Sequence, residues 1–206
     1  MKIIFIIFLL SIILLLIIKN YKKENFNNKN KYYLIANNPK ITPNEILKLS
    51  KLPNNVLVFF NHIEPFKKFS ISELRQLKNS KSQKKLFLRS NHLNSYWGKE
   101  EFDNQKVKIF NINNSNIILS DNTKNLKNPL RLNVIDYKKY INEYPKKKQP
   151  QSGFVTFHYL NSFTNKYNII LYGFSRKKGQ DDGDWCHEKN YELDYYKKNN
   201  VNIINL

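Results

Sequence analysis

Three short apolar runs constrain the fold of this chain more than any other feature of its sequence. They occupy residues 32–36, 56–60 and 168–172, and each is followed by an Asn or a Gly, residues typical of turns. The runs do not alternate apolar with polar side chains. A strand of this kind is buried on both faces, as in a parallel sheet that lies between two layers of helices.

Helical patterns lie between the apolar runs. Thr42, Pro43 and Glu45 form the start signal of a short helix, because they supply a capping hydroxyl, a proline at the first position and a glutamate that closes a capping box. Further helices are predicted at residues 72–78, 154–163 and 185–198, and further strands at 85–88, 107–110, 117–119 and 201–204. This alternation predicts an α/β fold with a Rossmann-like, open and mostly parallel sheet in residues 32–206, whose ligands bind at the carboxyl ends of the strands.

The most apolar segment lies at the N-terminus. Residues 3–18 contain one serine and no charge, and Lys19 begins a polar stretch without an Ala-x-Ala cleavage pattern. This favours an uncleaved anchor over residues 1–20 and a flexible tether over 21–31; a cleaved signal peptide and a buried core helix are the less favoured alternatives. We therefore expect a single-pass membrane protein. More lysines follow the segment than precede it, which favours a cytoplasmic C-terminal part.

The net charge alone does not identify a partner. Lys and Arg number 35 against 16 Asp and Glu, so the formal net charge is +19, a balance typical of proteins that bind nucleic acid or anionic membranes. Nearly all of these cations are Lys, however, and Lys, Asn and Ile are over-used together, which indicates codon bias. We therefore expect no nucleic-acid partner. The single cysteine, Cys186, excludes an intrachain disulfide.

Two segments carry residues suited to chemistry. Ser152 and Gly153 open a predicted helix, where a hydroxyl and the N–H groups of the first turn can bind an anion, although a simple helix cap has the same pattern. His187 lies at the start of the predicted 185–198 helix, where the dipole favours the neutral imidazole that a general base needs. Glu192 is about 140° further around that helix, so it is expected to fix nearby backbone instead of facing the same cleft.

Metal chemistry is not the favoured interpretation. Asp181, Asp182 and Asp184 could hold Mg²⁺ on a nucleotide-sugar diphosphate, but a solvated acidic loop in a basic protein explains them as well. Cys186 has no second cysteine and no spaced histidine pair to complete a zinc site. We therefore expect neither a metal nor another cofactor.

Four segments, in this order along residues 32–206, resemble the motifs of the sialyltransferases, both the eukaryotic-type family and, more distantly, the small bacterial enzymes. Residues 34–39 (Leu-Ile-Ala-Asn-Asn-Pro) and 58–65 are similar to the start and the end of the family's large motif. Residues 150–174, from Pro-Gln-Ser-Gly to a strand ending in Gly-Phe, are similar to its small motif. His187 and Glu192 match its very small motif.

The resemblance implies the sialyltransferase variant of the GT-A fold and a metal-independent, inverting transfer. The donor would be a cytidine monophosphate (CMP) sugar carrying sialic acid or a related acid sugar, and the acceptor a glycan hydroxyl. His187 would be the general base, with Glu192 as its structural support. Residues implied in donor binding are Asn37, Asn61, Ser152, Gly153 and Gly173. The family's location implies a Golgi-like or host endomembrane, against the cytoplasmic orientation that the charges favour.

Three alternatives stay open. Phe59 stands where the family has an Arg, and no His-Tyr motif is present, so the chain could be a transferase fold that binds its donor without turnover. A divalent-metal transferase would work through the acidic residues 181–184. A membrane-anchored basic module without enzymatic activity would bind nucleic acid or anionic lipid through its lysines.

Overall fold

The computed structural model describes residues 30–60, 68–89, 117–120, 133–140, 144–145, 148–165, 168–174 and 189–205. Within these ranges no helix combines the length and the apolarity needed to cross a membrane. The proposed anchor at residues 3–18, most of the proposed tether and the strand predicted at 107–110 lie outside them.

The described ranges contain seven strands and four α-helices. The strands are β1 (Lys31–Ile35), β2 (Asn55–Phe60), β3 (Gln83–Arg89), β4 (Ile117–Ser120), β5 (Asn133–Asp136), β6 (Ile169–Tyr172) and β7 (Asn202–Ile204). The helices are α1 (Pro43–Ser50), α2 (Ile71–Asn79), α3 (Ser152–Asn161) and α4 (Lys189–Lys198), and a short 3₁₀ helix (Tyr137–Tyr140) follows β5.

All seven strands form one sheet, in the order β5-β4-β3-β2-β1-β6-β7. Each neighbouring pair is parallel, and the central register places Leu34 beside Val58 on β2 and beside Leu171 on β6. The predicted α/β fold with an open parallel sheet is therefore confirmed. Every residue of β2 is buried, as expected of an apolar run covered on both faces.

Helices cover both faces of the sheet. Because side chains alternate along a strand, Leu34 and Val58 contribute to one core while Ile35 and Leu57 contribute to the other. The first core is completed by α3 and α4, whose buried residues include Phe154, Phe157, Leu160 and Tyr196. The second is completed by residues of α1 and α2 and of their flanks, including Ile46, Phe69, Leu74 and Leu77.

The direction of winding reverses next to β1. From β1 the chain adds β2 and β3 on one side, and it later places β6 and β7 on the other side. Parallel crossovers are right-handed, so helices that wind in opposite directions cover opposite faces. This explains why α1 and α2 lie on one face and α3 and α4 on the other, and it makes the boundary between β1 and β6 a topological switch point.

Most sequence-predicted elements are present with small shifts at their ends. The capping box predicted at Thr42 and Glu45 is confirmed, and Ser70 with Glu73 forms a second one at the start of α2. Strand β5 was not expected, because its four residues lie in a stretch without a clear apolar run. Helix α4 is described from Lys189, and residues 185–188 of its predicted span lie outside the described ranges.

Candidate functional site

The candidate site lies at the carboxyl edge of the sheet, where β1 and β6 end side by side. The backbone N–H of Ala36 donates to the Tyr172 carbonyl oxygen at 2.9 Å, so β1 and β6 leave the sheet at the same level. Ligands of open α/β proteins bind outside the carboxyl ends of the strands at a switch point of this kind, because the loops on either side of it diverge.

Two consecutive asparagines connect the loop after β1 to both neighbouring strands. The Nδ2 group of Asn37 donates to the carbonyl oxygen of Phe60, the last residue of β2, at 3.4 Å. The Nδ2 group of Asn38 donates to the carbonyl oxygen of Gly173, just after β6, at 2.8 Å. The Oδ1 atom of Asn38 accepts from the Lys40 backbone N–H at 2.9 Å, which fixes the turn of this loop.

Gly173 has a backbone conformation that suits glycine. Its φ of 75° lies in the left-handed region, which is strained for residues with a Cβ. Its N–H donates to the Ile204 carbonyl oxygen of β7 at 2.8 Å, and its own carbonyl receives the Asn38 amide. Gly173 thus turns the chain out of the sheet while it stays bonded to β7 on one side and to the loop after β1 on the other.

Gly153 lies against the next residue after that turn. A Cβ atom built on Gly153 would lie 2.5 Å from Cε1 and 2.8 Å from Cζ of Phe174. The Phe174 ring also packs edge-on against Phe60, with ring centroids 6.5 Å apart. The start of α3 therefore touches the loop after β6, and a glycine is what allows the approach.

The start of α3 differs from those of α1 and α2. Those two helices carry their own anion, because Glu45 and Glu73 close capping boxes in the first turn. Helix α3 begins after Gln151 without a side-chain cap, and its first turn contains no acidic residue. The partial positive charge of this helix end is therefore not matched by an acid in its own first turn.

A buried carboxylate holds the backbone that enters α3. Glu192 of α4 is 2% exposed, and its Oε1 accepts the Gln151 backbone N–H at 2.7 Å and the Tyr144 hydroxyl at 2.8 Å. Hydrogen bonds to an ionised carboxylate are stronger than neutral ones, especially in a low dielectric. Glu192 therefore fixes the position of the residue before Ser152 and ties α4 to it.

Aromatic side chains pack below this carboxylate. Phe154 lies 5.6 Å from Tyr144 and 4.5 Å from His158, measured between ring centroids, and Tyr195 lies close to both rings, 4.8 Å from His158. The Nε2 atom of His158 is buried without a hydrogen-bond partner, and burial lowers the pKa of the imidazole to about 4. His158 is therefore neutral at pH 7 and acts as part of the core.

On the opposite face, Tyr172 connects β6 to α1. Its hydroxyl donates to Oε1 of Glu45 at 3.0 Å. Burial, aided by that hydrogen bond and by the charge of Glu45, raises the pKa of Tyr172 to about 12. The pKa of Glu45 is lowered, first by its hydrogen bonds with Thr42. These contacts fix the end of β6 relative to the helix that follows β1.

Five of the sequence-predicted site residues lie at this edge, namely Asn37, Ser152, Gly153, Gly173 and Glu192. Asn61 and His187 lie outside the described residues, as does the acidic stretch at 181–184. In the part of the chain that is described, no group of three His, Cys, Asp or Glu side chains is placed to hold a metal.

Sequence reasoning missed two residues that organise the site. Asn38 was assigned no role of its own, although a second Asn after a buried strand is itself a signal for a loop-fixing amide. Tyr144 is the third tyrosine in the lysine-rich stretch 137–148, and nothing in its neighbourhood indicates a hydrogen bond to a residue 48 positions away.

A scan against protein-family models finds no match, and neither the curated proteins nor the solved structures contain a significant match to this chain.

Proposed function

We propose that this chain is a membrane-tethered, metal-independent inverting glycosyltransferase of the sialyltransferase type, in a Rossmann-like GT-A variant. It transfers an acid sugar, sialic acid or a relative, from a CMP-sugar to a glycan hydroxyl. Residues 3–18 form its single membrane anchor. Its catalytic part faces either the cytoplasm or the lumen of a Golgi-like or host endomembrane.

The observation that carries the proposal is the assembly of separate motif segments at one switch point. The loop after β1 bonds the loop after β6 through Asn38 and Gly173, and the start of α3 packs on that same loop through Gly153 and Phe174. The segments that resemble the large and the small motif are distant in sequence, and this edge is where a nucleotide binds in an open α/β sheet.

The chemistry of the edge suits an anionic donor. The Ser152 hydroxyl and the first-turn N–H groups of α3 would meet the donor carboxylate or phosphate, and the Asn37 amide would contact the nucleotide. The nearby Glu192 carboxylate accepts the Gln151 N–H and the Tyr144 hydroxyl, so it holds backbone in place. In this arrangement donor binding requires no metal, because protein donors stabilise the departing phosphate.

His187 supplies the base in the proposed reaction. Its neutral imidazole takes the proton of the acceptor hydroxyl as that oxygen attacks the anomeric carbon of the donor. The bond from the anomeric carbon to the phosphate oxygen breaks in the same displacement, and CMP leaves with the electron pair. One displacement inverts the configuration at the anomeric carbon.

The test uses the full chain in detergent micelles, with CMP binding measured by calorimetry and CMP release measured from CMP-sialic acid. His187→Ala is expected to lower CMP release on the order of 100-fold or more while CMP affinity changes little. Asn37→Ala and Ser152→Ala are expected to weaken CMP binding itself. His92→Ala, at a histidine outside every motif, is the matched control and is expected to match the parent.

Each alternative gives a different result. Parent-like CMP release by His187→Ala excludes His187 as the base. Saturable CMP binding without release from any tested CMP-sugar indicates a transferase fold without turnover. Release that a chelator abolishes indicates the metal mechanism. A lack of saturable CMP binding, with polyanion affinity that falls steeply with salt, indicates a basic binding module.

A further inference from the structure

The two edges of the sheet differ in charge. Seven exposed lysines lie at the amino edge, where strands begin and the preceding helices end, and the one described acid near them is Asp194, a turn before Lys197 and Lys198 in α4. They are Lys31, Lys48, Lys51, Lys78, Lys81, Lys197 and Lys198. At the carboxyl edge the described lysines are mixed with acids, among them Glu45, Glu73, Asp136 and Glu192.

The segments that carry five of the seven lysines (Lys31, Lys48, Lys51, Lys78 and Lys81) lie next to one another. The Lys31 backbone N–H donates to the Asn54 carbonyl oxygen at 2.9 Å, so the start of β1 touches the loop between α1 and β2. The Ser82 N–H donates to the Ser50 carbonyl oxygen at 3.1 Å, so the loop before β3 touches the end of α1. We call the seven lysines on this edge the amino-edge patch.

Helix dipoles explain only part of this patch. Cations are favoured in the last turn of a helix, which accounts for Lys48, Lys78 and the pair at the end of α4. Lys31, Lys51 and Lys81 lie outside the helices, and their exposed ammonium groups add to the same surface. Codon bias would place lysines without regard to edge, whereas four of the five described acids lie toward the carboxyl edge.

The apolar N-terminal segment indicates which anion the patch meets. Residues 19–30 separate that segment from the start of β1, and a coil of this length spans about 19 Å on average. Strand β1 begins at the amino edge, so the chain enters the fold there. The proposed anchor and this short connection would hold that edge close to the bilayer. Lysines near an anionic leaflet each strengthen binding on the order of fivefold.

We propose that the amino-edge patch docks on an anionic membrane surface and points the candidate site at the carboxyl edge away from the bilayer. The proposal rests on the proposed anchor but not on the proposed transfer reaction. Strand β1, with five residues, separates the two edges by about 17 Å. The opening of the candidate site is therefore kept clear of the lipid headgroups.

The experiment measures how close each edge comes to the lipid. The full chain is reconstituted in nanodiscs of phosphatidylcholine, with or without phosphatidylserine, that carry a headgroup quencher. A fluorophore is placed on Asn54→Cys at the amino edge or on Ser72→Cys at the carboxyl edge, each in a Cys186→Ser background; both positions are exposed. Incorporation of the chain into phosphatidylcholine nanodiscs reports on the anchor separately.

With phosphatidylserine present, the amino-edge label is expected to be quenched and the carboxyl-edge label is not. Added salt is expected to relieve the quenching, since exposed charges are screened within about 10 Å at 0.1 M. Replacing Lys51, Lys78 and Lys81 by Glu is expected to shift the docked-to-free ratio on the order of 100-fold. The matched control replaces Lys40, Lys138 and Lys139, which lie at the carboxyl edge, and is expected to leave the quenching unchanged.

Equal quenching of the two labels, or quenching insensitive to both phosphatidylserine and salt, overturns the proposal without any need for a variant. An equal loss of quenching in the two triple variants also overturns the proposal, because the quenching would then depend on net charge and not on where the lysines lie. Saturable binding of duplex DNA in phosphatidylcholine nanodiscs, lost only in the amino-edge variant, would assign the patch to nucleic acid instead.

Discussion

Substituting Gly153 by Ala tests the closest approach in the candidate site. The added Cβ would lie 2.5 Å from Cε1 of Phe174, whereas carbon atoms pack best at about 3.5–4.0 Å. The ring would have to move by about 1 Å, and its contact with Phe60 opposes that movement. The substitution therefore forces either the ring or the start of α3 out of position.

The size of the effect follows from two opposing terms. Overpacking costs about 1–3 kcal/mol, while Ala in place of Gly in a helix gains up to about 1 kcal/mol. We expect Gly153→Ala to lower the free energy of unfolding by about 1–2 kcal/mol in the wild-type background. In a Phe174→Ala background the clash is absent, and the same substitution is expected to raise it by up to about 1 kcal/mol.

The assay is urea unfolding of the four proteins of this double-mutant cycle, followed by far-ultraviolet circular dichroism in one detergent. The expected coupling between the two positions is about 2 kcal/mol, and Gly153→Ala alone should lower Tm by about 3–6 °C. If Gly153→Ala stabilises both backgrounds equally, the Phe174 ring does not rest on Gly153, and the assembly of α3 with the loop after β6 is refuted.

Three further changes test the buried polar groups. Tyr144→Phe removes a hydrogen bond to Glu192 and should lower the free energy of unfolding in urea by about 1.5–3 kcal/mol. The control is Tyr140→Phe, which should lower it by less than about 0.5 kcal/mol, because the Tyr140 hydroxyl has no hydrogen bond among the described residues. Equal losses would contradict the contact. Burial lowers the pKa of His158 to about 4, so below about pH 6.5 the unfolded chain binds a proton that the folded chain does not. Between pH 7 and 5.5 the free energy of unfolding should therefore fall by about 1 kcal/mol more in wild type than in His158→Phe, and parallel pH profiles would refute this. Burial lowers the pKa of Lys85 to about 8, so the folded chain releases this proton at a lower pH than the unfolded chain. Between pH 7 and 9 the free energy of unfolding should therefore rise by about 1 kcal/mol more in wild type than in Lys85→Met. An equal rise in the two proteins would exclude Lys85 as the titrating group.

Local patterns predicted the central elements well because the relevant physics is local. The run at 56–60 gives β2 (Asn55–Phe60), since a sequence without polar side chains has to be covered on both faces. The pattern at Thr42 and Glu45 gives the capping box of α1, since both partners lie within one turn. Strand β5 was missed because its four residues have no strand pattern of their own and are a strand only through pairing with β4.

The candidate site was predictable only in part. Asn37 and Gly173 were implied by the resemblance to the sialyltransferase motifs, and Gly153 was identified from its place at a helix start. The hydrogen bond from Asn38 to Gly173 spans 135 positions, and no local pattern encodes such a pair. The same holds for Tyr144 and Glu192, whose contact depends on how α4 packs against α3.

The sequence by itself determined the fold class, because apolar runs and helical repeats fix which faces of each element must be buried. It also determined the apolar N-terminal segment and the excess of lysine. Only the tertiary structure decided that the strand order reverses between β1 and β6, and with it which loops meet at one edge. It also decided that seven described lysines gather at the opposite edge. Both depend on contacts between residues far apart in the chain, whose free energy is gained only once the sheet has assembled.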